Sequence, residues 1–297
     1  MTHTTDTFSG YSPIINFKFY IGAILCGMFF IHPAFLACAV VLSAAYYVTI
    51  RGLAALRLIL GMFPIWIAIA LINPLLNTNG PTVLFTYFGD RPYTLEALYY
   101  GMALGAMFVS IILWFASYNA VMTSDKFIYL FGRLIPAVSL VLTMVLRLVP
   151  NYQRKIHQIA GARKCIGKGA DSDDKREKAE DGLTILSALT TWAFEGGIVT
   201  ADSMRCRGYG CGKRTNFSIY TFEARDKLLM LIMMFLLSLI FTAAAKGGMQ
   251  TTYTPDLMIA DEVWTVIGCI SYMIFLAVPT ALNILEEITW HILRSRI

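Results

Sequence analysis

The chain is short of charge. Of its 297 residues 14% are Asp, Glu, Lys or Arg and 57% are hydrophobic, whereas a soluble domain carries about 25% charged residues. That deficit excludes an ordinary water-soluble fold and predicts a membrane protein. Histidine is scarce as well: His3, His32, His157 and His291 lie in different regions, so no His cluster has metal-ligand spacing. No G-x-x-x-x-G-K-[ST], H-E-x-x-H or G-x-S-x-G segment occurs, which leaves a phosphate-binding loop, a zinc hydrolase and a serine hydrolase without their usual marks. The six cysteines form no framework. Cys26, Cys38 and Cys269 fall in apolar runs, Cys165, Cys206 and Cys211 fall in the polar region, and no His joins Cys206 and Cys211; they read as small, mildly apolar fillers. The apolar runs hold almost no acid or base, which disfavours an ion pump or proton relay.

What is present is a set of long apolar runs: Phe19–Ile31, Ala34–Ile50, Leu58–Leu76, Leu95–Ser117, Leu228–Ala245 and Val263–Leu285. A helix crosses the hydrocarbon with roughly 20 residues. The last four runs fit that length. The first two are short and meet at His32-Pro33, so they are either two tilted spans or one hairpin that does not fully cross. The expected fold is therefore all-α and polytopic, with five or six transmembrane helices. With six spans, 22 of the 24 Lys and Arg fall on one side and Arg91 and Lys246 on the other. By the positive-inside rule both termini and the long polar insert face the cytoplasm. The N-terminal Met1–Pro13 stretch has no basic n-region, so no cleavable signal peptide is expected. The net charge of +5 follows from this topology, and no nucleic-acid partner is expected.

The insert, Tyr118–Asp226, divides the chain into an N-terminal membrane block (1–117), a cytoplasmic region (118–226) and a C-terminal membrane block (227–297). Two helices are expected within it, about Ile135–Lys164 and Leu183–Arg207. Their uncharged parts, Leu134–Leu146 and Leu183–Phe194, are too short to cross and read as interfacial or protein-buried. Between them Gly167–Asp181 is rich in mixed charge, including Asp171, Asp173 and Asp174, and reads as a solvated loop without the calcium-loop pattern. On the second helix Ile185, Leu189, Trp192, Gly196 and Val199 make one stripe. Gly196-Gly197 costs helix propensity and predicts a close helix crossing. Gly208 is the expected left-handed C-cap, which places Arg205 and Arg207 at the helix end, suited both to the helix dipole and to bidentate pairing with acidic groups on another protein. The first helix finishes alike, with Arg163 and Lys164 before Gly167. Asn73-Pro74 is expected to let Asn satisfy backbone groups freed by Pro, and Glu96 to sit at a helix start capped by Thr94.

The segments Asn73-Pro74-Leu75, Thr94-Leu95-Glu96-Ala97-Leu98-Tyr99-Tyr100-Gly101, Thr123-Ser124-Asp125-Lys126, Leu146-Arg147-Leu148-Val149-Pro150 and Ala201-Asp202-Ser203-Met204 through Arg207-Gly208-Tyr209-Gly210 resemble the transmembrane T component (EcfT or CbiQ-like) of energy-coupling factor transporters, a class of ABC importer. The last segment is similar to the family's second Ala-Arg-Gly coupling motif, with Cys206 in place of Ala. The first motif departs: Cys165-Ile166-Gly167 stands there, and Arg163 or Lys164 are the candidates for the missing charge. The resemblance implies that the insert helices are coupling helices which cross in an X. Their ends would dock two cytoplasmic ATPase subunits. It also implies that ATP is bound by those partners with no cofactor in this chain, and that the stripe Ile185–Val199 packs on the first helix or on a small membrane-embedded S component carrying a vitamin or other micronutrient. Arg147, Pro150, Asp202, Asn73, Pro74 and Glu96 would be structural. The chain itself would not be an enzyme. Two other classes stay open: a membrane scaffold without transport, and a membrane-embedded enzyme using Asp202 or Glu195.

Overall fold

A computed structural model describes residues 6–78, 80–87, 91–132, 135–167, 175–212, 220, 222–248, 251–252, 258–259 and 263–294. The chain is mostly helical: α1 (Pro13–Phe29), α2 (Pro33–Arg51), α3 (Ala55–Leu76), α4 (Leu95–Val121), α5 (Ser124–Gly132), α6 (Pro136–Cys165), α7 (Lys175–Cys206), α8 (Ala224–Ala245) and α9 (Val263–Arg294). Two short antiparallel hairpins, β1 (Val83–Tyr87) with β2 (Arg91–Thr94) and β3 (Thr251–Thr252) with β4 (Met258–Ile259), stand outside the all-helical expectation. The first was signalled by Val83, Phe85, Tyr87 and Tyr93, residue types that favour strands; Phe85 and Tyr93 stack at 4.6 Å.

The chain separates into two compact units, Met1–Phe127 with Tyr220–Ile297, and Ile128–Ile219. In the first, α4 packs on α1, α2 and α3, and α9 packs on α2 and α8. Its core is aromatic: Phe19 meets Trp114 at 5.4 Å and Phe275 at 5.2 Å, and Tyr46 meets Trp114 at 6.0 Å. His32-Pro33 separates two helices. His32 Nδ1 accepts from the Ala34 N–H at 3.2 Å, and Pro33 takes the first helical position, where its missing N–H costs nothing.

Five helical stretches are long and apolar enough to cross a membrane: Pro33–Leu76, Leu95–Val121, Lys175–Cys206, Ala224–Ala245 and Val263–Arg294. The molecule is a multi-pass membrane protein. The first stretch holds α2 and α3, parted at Gly52 with φ of 59°; α1 is apolar but has 17 residues.

α7 differs from its expectation. It begins at Lys175, not near Leu183, because Lys175–Asp181 is helical and not loop. Glu, Lys, Arg and Ala are good helix formers, and this propensity prevails over the solvated coil that mixed charge predicts. Glu195 is the lone charge from Leu183 to Ala201, so α7 reaches the length and composition of a span. It is still the least apolar of the five, with mean hydropathy 1.2 against 1.8 to 2.6 for the others. The acidic stretch Asp171–Asp174 lies outside the described residues.

Candidate functional site

The second unit is built on an antiparallel pair. Arg163 of α6 forms a salt bridge with Asp181 of α7, and Tyr152 packs edge-on against Trp192 at 5.6 Å. Lys155 Nζ lies 5.4 Å from the Trp192 ring centroid, a cation–π contact. These three fix a register that sets Ile159 opposite Ile185. On α6 the inward residues Tyr152, Lys155, Ile159 and Arg163 are half-buried, as are Ile185, Leu189 and Trp192 on α7, with Asp181 buried. The first part of the predicted stripe thus faces α6.

The stripe's second part does not. Gly196, Gly197 and Val199 are exposed, and among the described residues no atom lies within 4 Å of a Cβ built on either glycine. Among the described residues no close crossing is made at Gly196-Gly197. One occurs in the other unit, at Gly101 and Gly105 of α4. A Cβ on Gly101 would lie 2.8 Å from the Ala70 carbonyl oxygen of α3, and one on Gly105 would overlap the Trp66 indole. Trp66 Nε1 donates to the Met102 carbonyl at 2.9 Å. The sequence signal was Gly101-x-x-x-Gly105, the small-residue spacing that lets two membrane helices touch.

Both insert helices end on a left-handed glycine. In α7 the Gly208 N–H donates to the Arg205 carbonyl at 2.9 Å and the Tyr209 N–H to Met204 at 3.0 Å, with Gly208 at φ of 82°. This is a Schellman cap. In α6 the Gly167 N–H donates to the Lys164 carbonyl at 3.1 Å, with Gly167 at φ of 74°. A side chain at either φ would be strained. Arg205, Arg207 and Gly208 are exposed, as are Lys164, Ile166 and Gly167. Arg163 is not: it is half-buried and committed to Asp181. Asp202, Glu195, Arg147 and Pro150 are exposed on the helix surfaces. Pro150 sits inside α6, and its carbonyl accepts from Arg154 Nε at 3.4 Å.

In the first unit Asn73 takes a different role from the one expected. Its Nδ2 donates across to the Ala97 carbonyl of α4 at 2.8 Å, and its Oδ1 accepts from Asn77 Nδ2 at 3.1 Å. It therefore ties α3 to α4 beside Gly101, with Pro74 buried next to it. Glu96 is buried in the first turn of α4 and accepts from the Thr82 hydroxyl and from the Thr82 N–H. Thr94 occupies the N-cap position, yet its side chain makes no capping bond. The hairpin delivers Thr82 instead, whose carbonyl takes the Leu95 N–H at 3.1 Å.

A polar cluster formed by the N-terminal segment was missed. Asp6 Oδ1 accepts from Asn283 Nδ2 at 2.6 Å, and its Oδ2 accepts from the Tyr46 hydroxyl at 3.1 Å. Asn283 Oδ1 in turn accepts from the Thr7 N–H at 3.0 Å. Lys126, buried at the start of α5, donates to the Ser9 carbonyl and hydroxyl at 2.7 Å each and to the Val121 carbonyl at 2.9 Å. Burial holds its ammonium below the usual lysine range, and the charge of Asp6 opposes that shift. Arg225 stacks on Tyr11 at 5.3 Å. The segment Asp6–Ser12 is thereby tied to α2, α5, α8 and α9. Asp6 is the sole acid before Asp90, which was the available signal.

No protein-family model matches the chain, and no curated protein sequence matches it. Among the described residues no group of three or more His, Cys, Asp or Glu is placed to hold a metal ion.

Proposed function

We propose that the chain is the transmembrane coupling subunit of an energy-coupling-factor type ABC importer, resident in the cell membrane with both termini in the cytoplasm. The observation that carries the reading is the pair α6 and α7: two long helices joined by a salt bridge, each closing on an exposed basic end followed by a left-handed glycine. Such ends offer cations and a fixed backbone turn to acidic grooves on other proteins. Two cytoplasmic ATPase subunits are the proposed occupants, and ATP is theirs to bind. Their closure moves the helix ends, and the motion passes to a small membrane-embedded S component that carries a vitamin or other micronutrient.

Within this reading α7 is peripheral in spite of its length, since its first turns pair with α6 through Asp181 and Glu195 and Asp202 interrupt its apolar course. Arg205 and Arg207 supply the second docking end. At the first, Lys164 supplies the charge, because Arg163 holds the hairpin together. The crowded α3–α4 crossing, with Asn73, Gly101 and Gly105, serves as a rigid base. The test is uptake. Arg207→Glu abolishes ATP-driven uptake of the cognate micronutrient while leaving the chain in the membrane at its normal level. Full uptake by that variant contradicts the coupling role and favours a scaffold.

A further inference from the structure

α6 has an uneven charge distribution. It holds Arg147, Arg154, Lys155, Arg163 and Lys164 and no Asp or Glu, and Pro136–Leu146 is uncharged. Val138, Val141, Val145 and Val149 recur at spacings of four and three on one face and are 45% to 59% exposed. The continuation of that face, at Tyr152, Lys155 and Ile159, is the part that packs on α7. The first half has no such cover among the described residues. Its one exposed hydroxyl donor is already satisfied, since Thr143 Oγ1 donates to the Ser139 carbonyl at 2.7 Å. That is the condition for placing a hydroxyl in hydrocarbon.

We infer that the first half of α6 is seated in one leaflet of the bilayer, with the valine stripe among acyl chains and Arg147 and Arg154 at anionic phospholipid headgroups. Two observations favour lipid over a protein groove. The uncharged stretch measures roughly 16 Å of helix, close to the roughly 15 Å of hydrocarbon in a single leaflet and half of what a crossing needs. A helix with basic residues and no acidic ones matches a surface of one sign, and arginines just beyond an apolar stretch reach the headgroups while their stems stay in hydrocarbon. Lipid is present with or without bound partners, so this seat does not depend on the coupling reading.

The test uses the full chain with its native cysteines replaced and a single fluorophore at Val141→Cys. The chain is reconstituted alone into vesicles of phosphatidylcholine and phosphatidylglycerol. Phe235→Cys on the exposed face of α8 reports the lipid limit, and Gln158→Cys in the basic half of α6 the aqueous limit. Bromine on the acyl chains quenches position 141 to at least about half the extent seen at 235, as an interfacially buried side chain requires, and aqueous iodide does not reach it. Val145→Cys, a second site on the same stripe, behaves alike. Arg147→Glu with Arg154→Glu lowers bromine quenching at 141 about twofold in the anionic vesicles and leaves it unchanged in pure phosphatidylcholine. Iodide quenching at 141 equal to that at 158 overturns the inference. Protection from both quenchers also overturns it, because it assigns the stripe to protein contact. Quenching that ignores the charge reversals overturns the headgroup contact.

Discussion

Two glycine pairs divide the molecule. Gly101 and Gly105 on α4 lie against Ala70 and Trp66, where a single added carbon would collide with backbone or indole. At Gly196 and Gly197 on α7 an added Cβ would meet no atom of another element within 4 Å among the described residues. The same residue type thus serves a finished crossing in one unit and an uncovered surface in the other. The first unit buries polar side chains that bond within it, such as Asn73 on the Ala97 carbonyl and Lys126 on Ser9. The insert keeps the valine stripe of α6, Gly196 and Gly197, and the Arg205 and Arg207 end of α7 exposed. Under the coupling proposal the first unit is the base and the second the contact surface.

The contrast breaks most visibly at Gly105. Gly105→Leu overpacks the α3–α4 crossing and costs about 3 kcal/mol, read as loss of folded protein in a detergent unfolding titration. Gly196→Leu does not destabilise the chain alone, because the site is exposed and Leu is a better helix former than Gly. Equal losses at the two sites would erase the distinction. Next in size is Lys126→Met, which removes three hydrogen bonds from a buried ammonium and costs about 2 kcal/mol. Hydrogen exchange at residues 6–12 speeds up with it, since Ser9 loses its anchor; unchanged exchange there would show that the N-terminal segment is held by other means.

Trp192→Ala has a smaller and local effect of about 1 kcal/mol, from the lost ring contact with Tyr152 and the cation–π contact with Lys155. Exchange rises over residues 152–163 and 181–192 and stays constant in the helices of the first unit. Spread into the helices of the first unit would contradict a local role for Trp192. The smallest effect sharpens the comparison: Gly196→Ala stabilises the isolated chain by about 0.5 kcal/mol through helix propensity, yet weakens any partner that approaches the helix backbone at that point.

Much of this was legible in the sequence. Apolar runs of bilayer length and the His32-Pro33 break marked the spanning helices, and Gly167 and Gly208 marked both insert helix ends, because a C-cap glycine is a local requirement. Ile185, Leu189 and Trp192 faced inward as their spacing implied. The failures share a cause, which is partners distant in sequence. Asn73 lies beside a proline, and its bond goes to a helix 24 positions on. Thr94 precedes a helix, but Thr82 from the hairpin does its work. Asp181 looked like part of a charged loop until Arg163, 18 positions earlier, was found across from it in an antiparallel pair. Asp6, Asn283 and Tyr46 come together only when the chain's first residues fold onto its last helix. Local propensity carries no information about such meetings.

Co-purification tests the docking role of the open unit most directly. The chain is expressed with the proteins encoded beside it, extracted in mild detergent, and its companions are identified by mass spectrometry. Coupling predicts two ATPase subunits and a small hydrophobic protein in the wild-type eluate, and loss of the ATPases from Arg205→Glu/Arg207→Glu while the chain stays folded. A chain that elutes alone, or ATPases retained after charge reversal, would contradict docking through the basic end of α7.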